Sequence, residues 1–358
     1  MATTFGVVGA GWRAELLLSV ARALPEDLRA VGVVVRRPDV AGRMAATWAV
    51  PAYADVDALL TAARPDFVIS SVTCAANPSV VTALVQRGVP VLSETPPADG
   101  PDDLRALWAA VGASGLVQVA EQYLLMPGHA ARLALVRQGI IGRPTSAHVC
   151  STHGYHAVSM LRGLLGVGFA PATVSARAFT SPLVDPLTRD GWTDDVSEKP
   201  AVTTLATLDF GEAVGHYDFT DNQWHNPLRT RRIVVRGSTG ELVDDTVTRL
   251  AGPRTVLTSS IVRRQVGHDL DLDGYDTDHL SHDGKVLWRN DFFGRRWADE
   301  EIAIGTMLRR TAAWVRGEGP PPYPLAEACE DQLLSLAIEE SAATGRDVTT
   351  TREAWASS

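Results

Sequence analysis

Short apolar runs alternate with amphipathic segments over the first 120 residues of the chain. The apolar runs predict strands at residues 5–8, 31–35, 66–72, 89–93 and 115–120. Helical spacing of apolar positions predicts helices at residues 15–24 and 80–87. Strands that alternate with helices are typical of a parallel sheet with helices on both faces, so we expect an α/β domain at the N-terminus.

The pattern changes in the second half of the chain, where apolar runs follow one another mostly without helices between them. These runs predict strands at residues 201–209, 213–220, 231–235, 256–263 and 285–289, with a polar surface loop at 267–284 and helices at 299–316 and 325–343. We therefore expect a second, α+β domain with an open, mostly antiparallel sheet. The predicted boundaries are 1–122 and 123–358, and the terminal helices are expected to be able to pack back on the first domain.

A glycine-rich turn follows the first predicted strand and opens the first predicted helix. Gly9 permits a tight turn, and Gly11 has no side chain that would keep the backbone away from a pyrophosphate. Ala14 is small enough for the helix to pack on the strand. The helix N-terminus, which begins with Trp12 and Arg13, offers N–H groups and a partial positive charge to phosphates. The turn predicts a dinucleotide site that includes Gly9, Gly11, Trp12 and Arg13.

The second predicted strand ends in Arg36 and Arg37. An acidic residue at this point would bind the ribose 2′-hydroxyl of NAD, whereas arginine suits the 2′-phosphate of NADP. The sequence therefore predicts NADP as the cofactor, with NAD as the alternative.

Composition narrows the class of protein. The chain has 358 residues, 45% of them hydrophobic, and a net charge of −9, which disfavours nonspecific binding to nucleic acid or to an anionic membrane. Its three scattered cysteines favour a reduced compartment, and no apolar stretch predicts a signal peptide or a membrane span. We expect a cytoplasmic protein that acts on a small molecule.

Several segments together resemble the glucose-fructose oxidoreductase, inositol dehydrogenase and rhizopine-catabolism (Gfo/Idh/MocA) family. The resemblance lies in residues 9–14, 66–69, 86–96, 120–123, 139–144, 156–162 and 235–240. It implies an N-terminal Rossmann domain, a C-terminal domain whose open sheet often forms the interface of a dimer or tetramer, and NAD(P)-dependent oxidation or reduction of sugars, polyols and related small molecules. It further implies cofactor contacts from Ser71, Thr73, Asn77, Glu94 and Gln122.

The chain departs from the family at its proton-transfer positions. Thr95 stands where the family has the lysine of Glu-Lys-Pro, and a threonine hydroxyl cannot carry a lysine's charge. Thr152 and Ser159 replace aspartates on either side of His156, and Asn77 replaces a histidine. We take His156, Thr95 and Tyr123 as the candidate catalytic residues. Three interpretations stay open: an oxidoreductase with rewired proton transfer, an NADP(H)-dependent imine or ketone reductase, and a nonenzymatic NADP-binding sensor.

Three further clusters carry potential chemistry. His153 and His156 lack a nearby carboxylate, so we predict no metal site there. The segment 221–226 combines Trp224 with amide side chains and is either a strand-end turn with a buried tryptophan or a carbohydrate platform. The arginines of segment 229–232 either steer an anionic substrate or form the solvated face of a strand.

Overall fold

A computed structural model describes residues 2–188, 190–267, 269 and 271–357 of the chain. Its contacts divide the chain into two compact units. The first unit contains Met1–Leu125, Ala298–Glu330 and Glu353–Ser358, and the second contains Met126–Trp297 and Asp331–Arg352. The first boundary lies three residues after the predicted one, and part of the C-terminal region is assigned to the first unit.

The first unit is built on a parallel sheet in the strand order β3-β2-β1-β4-β5-β6. Its N-terminal elements are β1 (Thr3–Val8), α1 (Trp12–Arg22), β2 (Leu28–Val34), α2 (Pro38–Trp48), β3 (Ala52–Tyr53), α3 (Val56–Ala63), β4 (Phe67–Ser70), α4 (Asn77–Val85), β5 (Val91–Ser93), α5 (Pro101–Val111) and β6 (Val117–Val119).

Strand burial explains why the first unit could be predicted. Strands β1, β4, β5 and β6 bury nearly all their side chains, as expected of a parallel sheet covered on both faces, and so appear as continuous apolar runs. Helix α1 begins three residues before the predicted start because Gly11 is its N-cap. Helix α3, which was not predicted, begins after Asp55, whose side chain accepts a hydrogen bond from the Ala58 backbone N–H.

The second unit is built on a nine-stranded sheet in the order β16-β15-β14-β13-β7-β12-β11-β8-β20 and a three-stranded sheet in the order β17-β18-β19. Its elements are α6 (Pro127–Arg137), β7 (Pro144–Cys150), α7 (Gly154–Leu165), β8 (Thr173–Val184), β9 (Leu187–Thr188), β10 (Gly191–Trp192), β11 (Glu198–Asp209), β12 (Val214–Thr220), β13 (Arg232–Gly237), β14 (Gly240–Val243), β15 (Thr246–Gly252), β16 (Thr255–Ser260), β17 (Val262–Val266), β18 (Asp276–His282), β19 (Lys285–Arg289) and β20 (Val348–Thr349).

Pairing in the large sheet is antiparallel except between β7 and β12, which run parallel. The α/β class and the mostly antiparallel second sheet are therefore confirmed. One face of the sheet is buried, and the other exposes apolar side chains that include Leu205, Val243, Leu250 and Val256. The predicted homo-oligomer through this sheet stays a prediction.

Two sequence-based predictions in the second unit were wrong. The predicted strand at 256–263 is divided between β16 and β17, because the chain turns at Ile261 from the large sheet into the small one. Part of the predicted loop at 267–284 is strand β18, whose side chains include the buried Asp276 and His282. The sequence analysis missed this strand because several of its side chains are polar, whereas strands were predicted from runs of apolar residues. Residues 268 and 270 of that loop lie outside the described residues.

The chain ends in α8 (Asp299–Val315) and α9 (Leu325–Thr344), close to the predicted ranges. Within the second unit, Asp331 of α9 accepts a hydrogen bond from Arg162 of α7 at 2.6 Å, and both side chains are at most 4% exposed. Among the helices of the described residues, none combines the length and apolarity that a membrane crossing requires.

Candidate functional site

The strand order of the first unit reverses between β1 and β4, and open α/β sheets have their ligand-binding crevice at such a point. Gly9 follows β1 with φ +123°, and a Cβ at this position would lie 2.0 Å from the backbone oxygen of Ser71, which follows β4. The N–H of Gly9 donates to the Val34 oxygen at 3.1 Å, and that of Ser71 donates to the Val8 oxygen at 2.8 Å. A glycine is therefore required at position 9 to hold the two strand ends together.

Gly11 serves a different purpose from Gly9. It is the N-cap of α1, and a Cβ built on it would meet no described atom within 4 Å. The space beside it therefore lets a ligand approach the backbone, and no described side chain caps the helix N-terminus. A backbone open to solvent at the start of an 11-residue helix fits the pyrophosphate of a dinucleotide.

Arg36 and Arg37 lie at the carboxyl edge of the same sheet. Both are exposed and follow β2, the neighbour of β1, and Arg37 is the N-cap of α2. Within the described part of the chain, neither guanidinium group has a carboxylate at ion-pair distance. Such exposed cations fit an additional phosphate on the adenosine ribose.

Arg13 links two other predicted cofactor residues, Glu94 and Gln122, in one partly buried network. Its Nε donates to Glu94 Oε1 at 2.8 Å and its Nη2 donates to Gln122 Oε1 at 2.8 Å. Its Nη1 donates to Glu300 Oε1 at 3.2 Å. Glu300 was missed by the sequence analysis, because it lies on α8, 287 residues away, and nothing local marks it.

The network fixes a cation beside the position of the family lysine. Burial acts to lower the pKa of Arg13, but the charge of Glu94 and the hydrogen bond to it outweigh burial, and the pKa is raised above its ordinary value. The backbone N–H of Thr95 donates to the other oxygen of Glu94 at 3.3 Å. Arg13 can therefore stabilise negative charge at this edge, but it cannot transfer a proton as the lysine could.

Asn77 occupies a buried structural position. Its Nδ2 donates to Ser93 Oγ at 2.8 Å and to the Pro97 oxygen at 2.9 Å, and its Oδ1 accepts from Ser70 Oγ at 2.8 Å. The amide thus connects β4, through its oxygen, with β5 and the segment after it, through its two hydrogens. Its direct contact with a cofactor stays a prediction.

The other predicted residues of the first unit lie at the same edge of the sheet. Ser71 follows β4, and the exposed Thr73 precedes a short turn of helix. Thr95, joined to Pro96 by a cis peptide bond, follows β5. Tyr123 follows β6, and its N–H donates to Glu121 Oε1 at 2.7 Å. Their catalytic and binding roles stay predictions.

In the second unit, two segments that were predicted independently meet in one aromatic cluster, which consists of His153, His156, Phe219 and Trp224. The ring of His153 lies 4.9 Å from Trp224, 5.4 Å from His156 and 5.8 Å from Phe219. Phe219 and Trp224 stack at 5.0 Å. The two segments meet because β7 and β12 run parallel, so that their carboxyl ends share one edge of the sheet.

The aromatic cluster is uncharged on its His153 side at neutral pH. His153 is exposed to solvent on one side, and desolvation by the rings on its other side, together with His156, lowers its pKa to about 4. Close by in sequence, the hydroxyls of Ser151 and Thr152 are buried and have no hydrogen-bond partner in the described structure. Buried hydroxyls without partners favour a polar ligand at this edge.

The amide side chains beside Trp224 form hydrogen bonds within the protein. Asn222 Nδ2 donates to both carboxylate oxygens of Asp185, and Asn226 Nδ2 donates to the Val184 oxygen at 2.9 Å. Gln223 Nε2 donates to the Cys150 oxygen at 3.2 Å. This segment therefore offers a ligand its aromatic ring rather than its amides.

The chain thus has a Rossmann unit and a second unit built on an open, mostly antiparallel sheet. Residues 3–122 match the family model described as "Oxidoreductase family, NAD-binding Rossmann fold" (GFO_IDH_MocA). This match confirms the family predicted from the sequence for the Rossmann domain.

Solved structures share the whole fold at low identity. An oxidoreductase from Agrobacterium radiobacter, in complex with NAD+, L-tartaric acid and magnesium, is 17% identical, with a TM-score of 0.71 over 97% of this chain and 98% of that one. A myo-inositol dehydrogenase from Corynebacterium glutamicum is 18% identical, with a TM-score of 0.66 over 99% and 100%. The WlbA dehydrogenase from Bordetella pertussis, in complex with NADH and UDP-GlcNAcA, is 16% identical, with a TM-score of 0.66 over 98% of each chain. No curated protein matches this chain significantly.

Proposed function

We propose that the protein is an NADP-dependent oxidoreductase acting on a sugar, a polyol or a related small polar molecule. The observation that carries the proposal is the crevice at the strand reversal, where Gly9 closes the turn and Gly11 leaves the backbone of α1 accessible. Inositol dehydrogenase and levoglucosan dehydrogenase are among the proteins that share the fold, which supports the substrate class.

Different residues at the crevice would bind different parts of the cofactor. The backbone at Gly11 and the N-terminus of α1 would hold the pyrophosphate, and Arg36 and Arg37 would hold a 2′-phosphate. When bound, the cofactor supplies the hydride chemistry.

Proton transfer requires a group other than Arg13. Arg13 stays protonated and would stabilise a developing negative charge, and the Thr95 hydroxyl would donate a hydrogen bond. Tyr123 of the same unit would exchange the proton with the product oxygen, because a phenol group can both lose and gain one, and His156 stays the candidate that the sequence indicates in the second unit.

Dinucleotide titration tests the proposal first. We expect NADPH to bind more tightly than NADH when both titrations are monitored by tryptophan fluorescence. Replacing both Arg36 and Arg37 with alanine should weaken NADPH binding by about tenfold to a hundredfold and leave NADH binding nearly unchanged. The matched control is Arg29→Ala, because Arg29 is also exposed but lies near the start of β2. Equal losses for both dinucleotides would contradict the NADP assignment.

A turnover screen then separates the enzyme from a sensor. Cofactor oxidation or reduction with sugars, polyols, ketones and imines would support the proposal and identify the reacting group. Tight NADPH binding without turnover would favour the sensor, which the replacement of the family lysine by Thr95 specifically supports.

A further inference from the structure

Two carboxylates share one guanidinium group in the first unit. Arg13 Nε donates to Glu94 Oε1 at 2.8 Å, and Arg13 Nη1 donates to Glu300 Oε1 at 3.2 Å. The third partner of Arg13 is the neutral amide of Gln122. Among the described residues, neither carboxylate has a second cation at ion-pair distance, and Thr95 beside Glu94 is uncharged. These side chains, named the Arg13 network (Arg13, Glu94, Gln122 and Glu300), therefore carry a net negative charge.

Strand order places the Arg13 network on one side of the cofactor crevice. Strand β2 lies on one side of β1, and β4, β5 and β6 lie on the other. In a Rossmann unit the pyrophosphate binds at the N-terminus of the first helix and the adenosine ribose binds near the end of β2, so the nicotinamide half extends over the strand ends on the opposite side. Glu94 directly follows β5, and Gln122 comes shortly after β6. The network therefore belongs to the nicotinamide side of the crevice.

The charge of the network acts differently on the two redox states of the cofactor. The oxidised nicotinamide ring is positively charged and the reduced ring is neutral, whereas the pyrophosphate, the riboses and the adenine are the same in both states. The side chains of Arg13 and Glu94 are each 13% exposed, so water screens their charges less than it screens the charge of Glu300, which is 46% exposed. A net negative charge stabilises the oxidised ring and has little effect on the reduced ring.

Binding of a substrate oxygen by Arg13 is compatible with this net charge. A guanidinium group has five N–H donors, and the bonds to Glu94, Gln122 and Glu300 use three of them. The remaining donors act at hydrogen-bond distance, whereas the summed charge of the network acts on the ring over a longer range.

We propose that Glu300, through the Arg13 network, makes the nicotinamide side of the crevice favour the oxidised cofactor over the reduced one. Tighter binding of NADP+ and easier release of NADPH suit an enzyme that works as a dehydrogenase, which oxidises its substrate. The inference rests on the proposed function, because it assigns the preferred redox state of that cofactor.

Calorimetric titration of the full chain with NADP+ and with NADPH tests the inference. The quantity of interest is the dissociation constant of NADPH divided by that of NADP+. Contacts that are common to the two redox states cancel in this ratio, so the ratio reports the surroundings of the nicotinamide ring. Glu300→Gln removes the charge and keeps the size of the side chain, and it should lower the ratio by about threefold to tenfold.

Two further variants test whether the effect belongs to the Arg13 network. Glu94→Gln removes the other carboxylate of the network and should lower the ratio independently. The matched control is Glu15→Gln, because Glu15 lies on the same helix as Arg13 but pairs at 2.8 Å with Arg43 of α2, the helix that follows β2. The control loses the same charge on the adenosine side, where the two redox states do not differ, so its ratio should equal that of the unchanged protein. Circular dichroism confirms that each variant is folded.

The outcomes separate this inference from the proposed function. An unchanged or increased ratio in Glu300→Gln overturns the inference, as does an equal decrease in Glu15→Gln, and the proposed function stands if NADPH still binds more tightly than NADH. If NAD+ and NADH bind and the NADP pair does not, the same ratio is measured with NADH and NAD+; a decrease in Glu300→Gln then supports the inference while the NADP assignment falls. Failure of every dinucleotide to bind removes both the proposed function and the inference.

Discussion

The crevice of the first unit and the aromatic cluster of the second are built in opposite ways. The crevice depends on backbone: Gly9, Gly11 and the start of α1 lie within a few residues of each other and act through main-chain shape. The aromatic cluster depends on side chains from two distant segments, one with His153 and His156 and the other with Phe219 and Trp224, which the parallel pairing of β7 and β12 brings together. An added methyl group should therefore disrupt the fold at Gly9 and ligand binding at Gly11, whereas a side-chain site should change affinity gradually as its members are replaced.

Replacing Gly9 with alanine should give the largest effect. The new methyl group would lie 2.0 Å from the Ser71 oxygen, and φ +123° is unfavourable for any residue with a side chain. The clash and the strain together should lower the free energy of unfolding by about 4 kcal/mol, measured by urea denaturation.

Gly11→Ala sharpens this comparison as the paired variant. Its methyl group would meet no described atom, so stability should change little while NADPH affinity falls because the pyrophosphate approaches that position. Equal stability of the two variants would refute the distinction between a turn glycine and a contact glycine.

This contrast explains what the sequence could predict. The Gly9–Gly11 turn, the parallel strands and the terminal helices follow from local patterns, and so does the fold class. The Arg13–Glu300 contact does not, because α8 carries no local mark of its partner. The meeting of His153 with Trp224 required the parallel pairing of β7 and β12, and turn residues alone do not reveal which strands pair. Strand β18 was missed because its buried side chains include Asp276 and His282.

A second prediction concerns an ion pair of helix α7, the helix that contributes to the aromatic cluster. Helix α7 carries His156, and its Arg162 pairs with the fully buried Asp331. Asp331→Asn removes the carboxylate charge that lies 2.6 Å from this buried guanidinium and should lower the free energy of unfolding by about 3 kcal/mol.

The exposed pair of Arg143 and Glu212 provides the control for Asp331→Asn. These side chains are 69% and 90% exposed, so Glu212→Gln should leave stability unchanged within error. If Asp331→Asn were equally harmless, the buried pair would not hold α7 in place.

The smallest expected effect is a pH dependence that belongs to the aromatic cluster. The pKa of His153 is lowered to about 4, below the ordinary value near 6.5, by desolvation and by His156. Between these two values the unfolded chain binds a proton that the folded protein does not, so this contribution to stability is complete above about pH 6.5 and is lost as the pH falls towards 4.

Urea denaturation at pH 7.5 and pH 5 should therefore show a smaller loss of stability for His153→Gln than for the unchanged protein. Carboxylates that titrate in the same range are common to both proteins and cancel in the difference. An identical loss in the two proteins would mean that the rings of Trp224, Phe219 and His156 do not desolvate His153, and the neutral stacking surface inferred for the second unit would no longer stand.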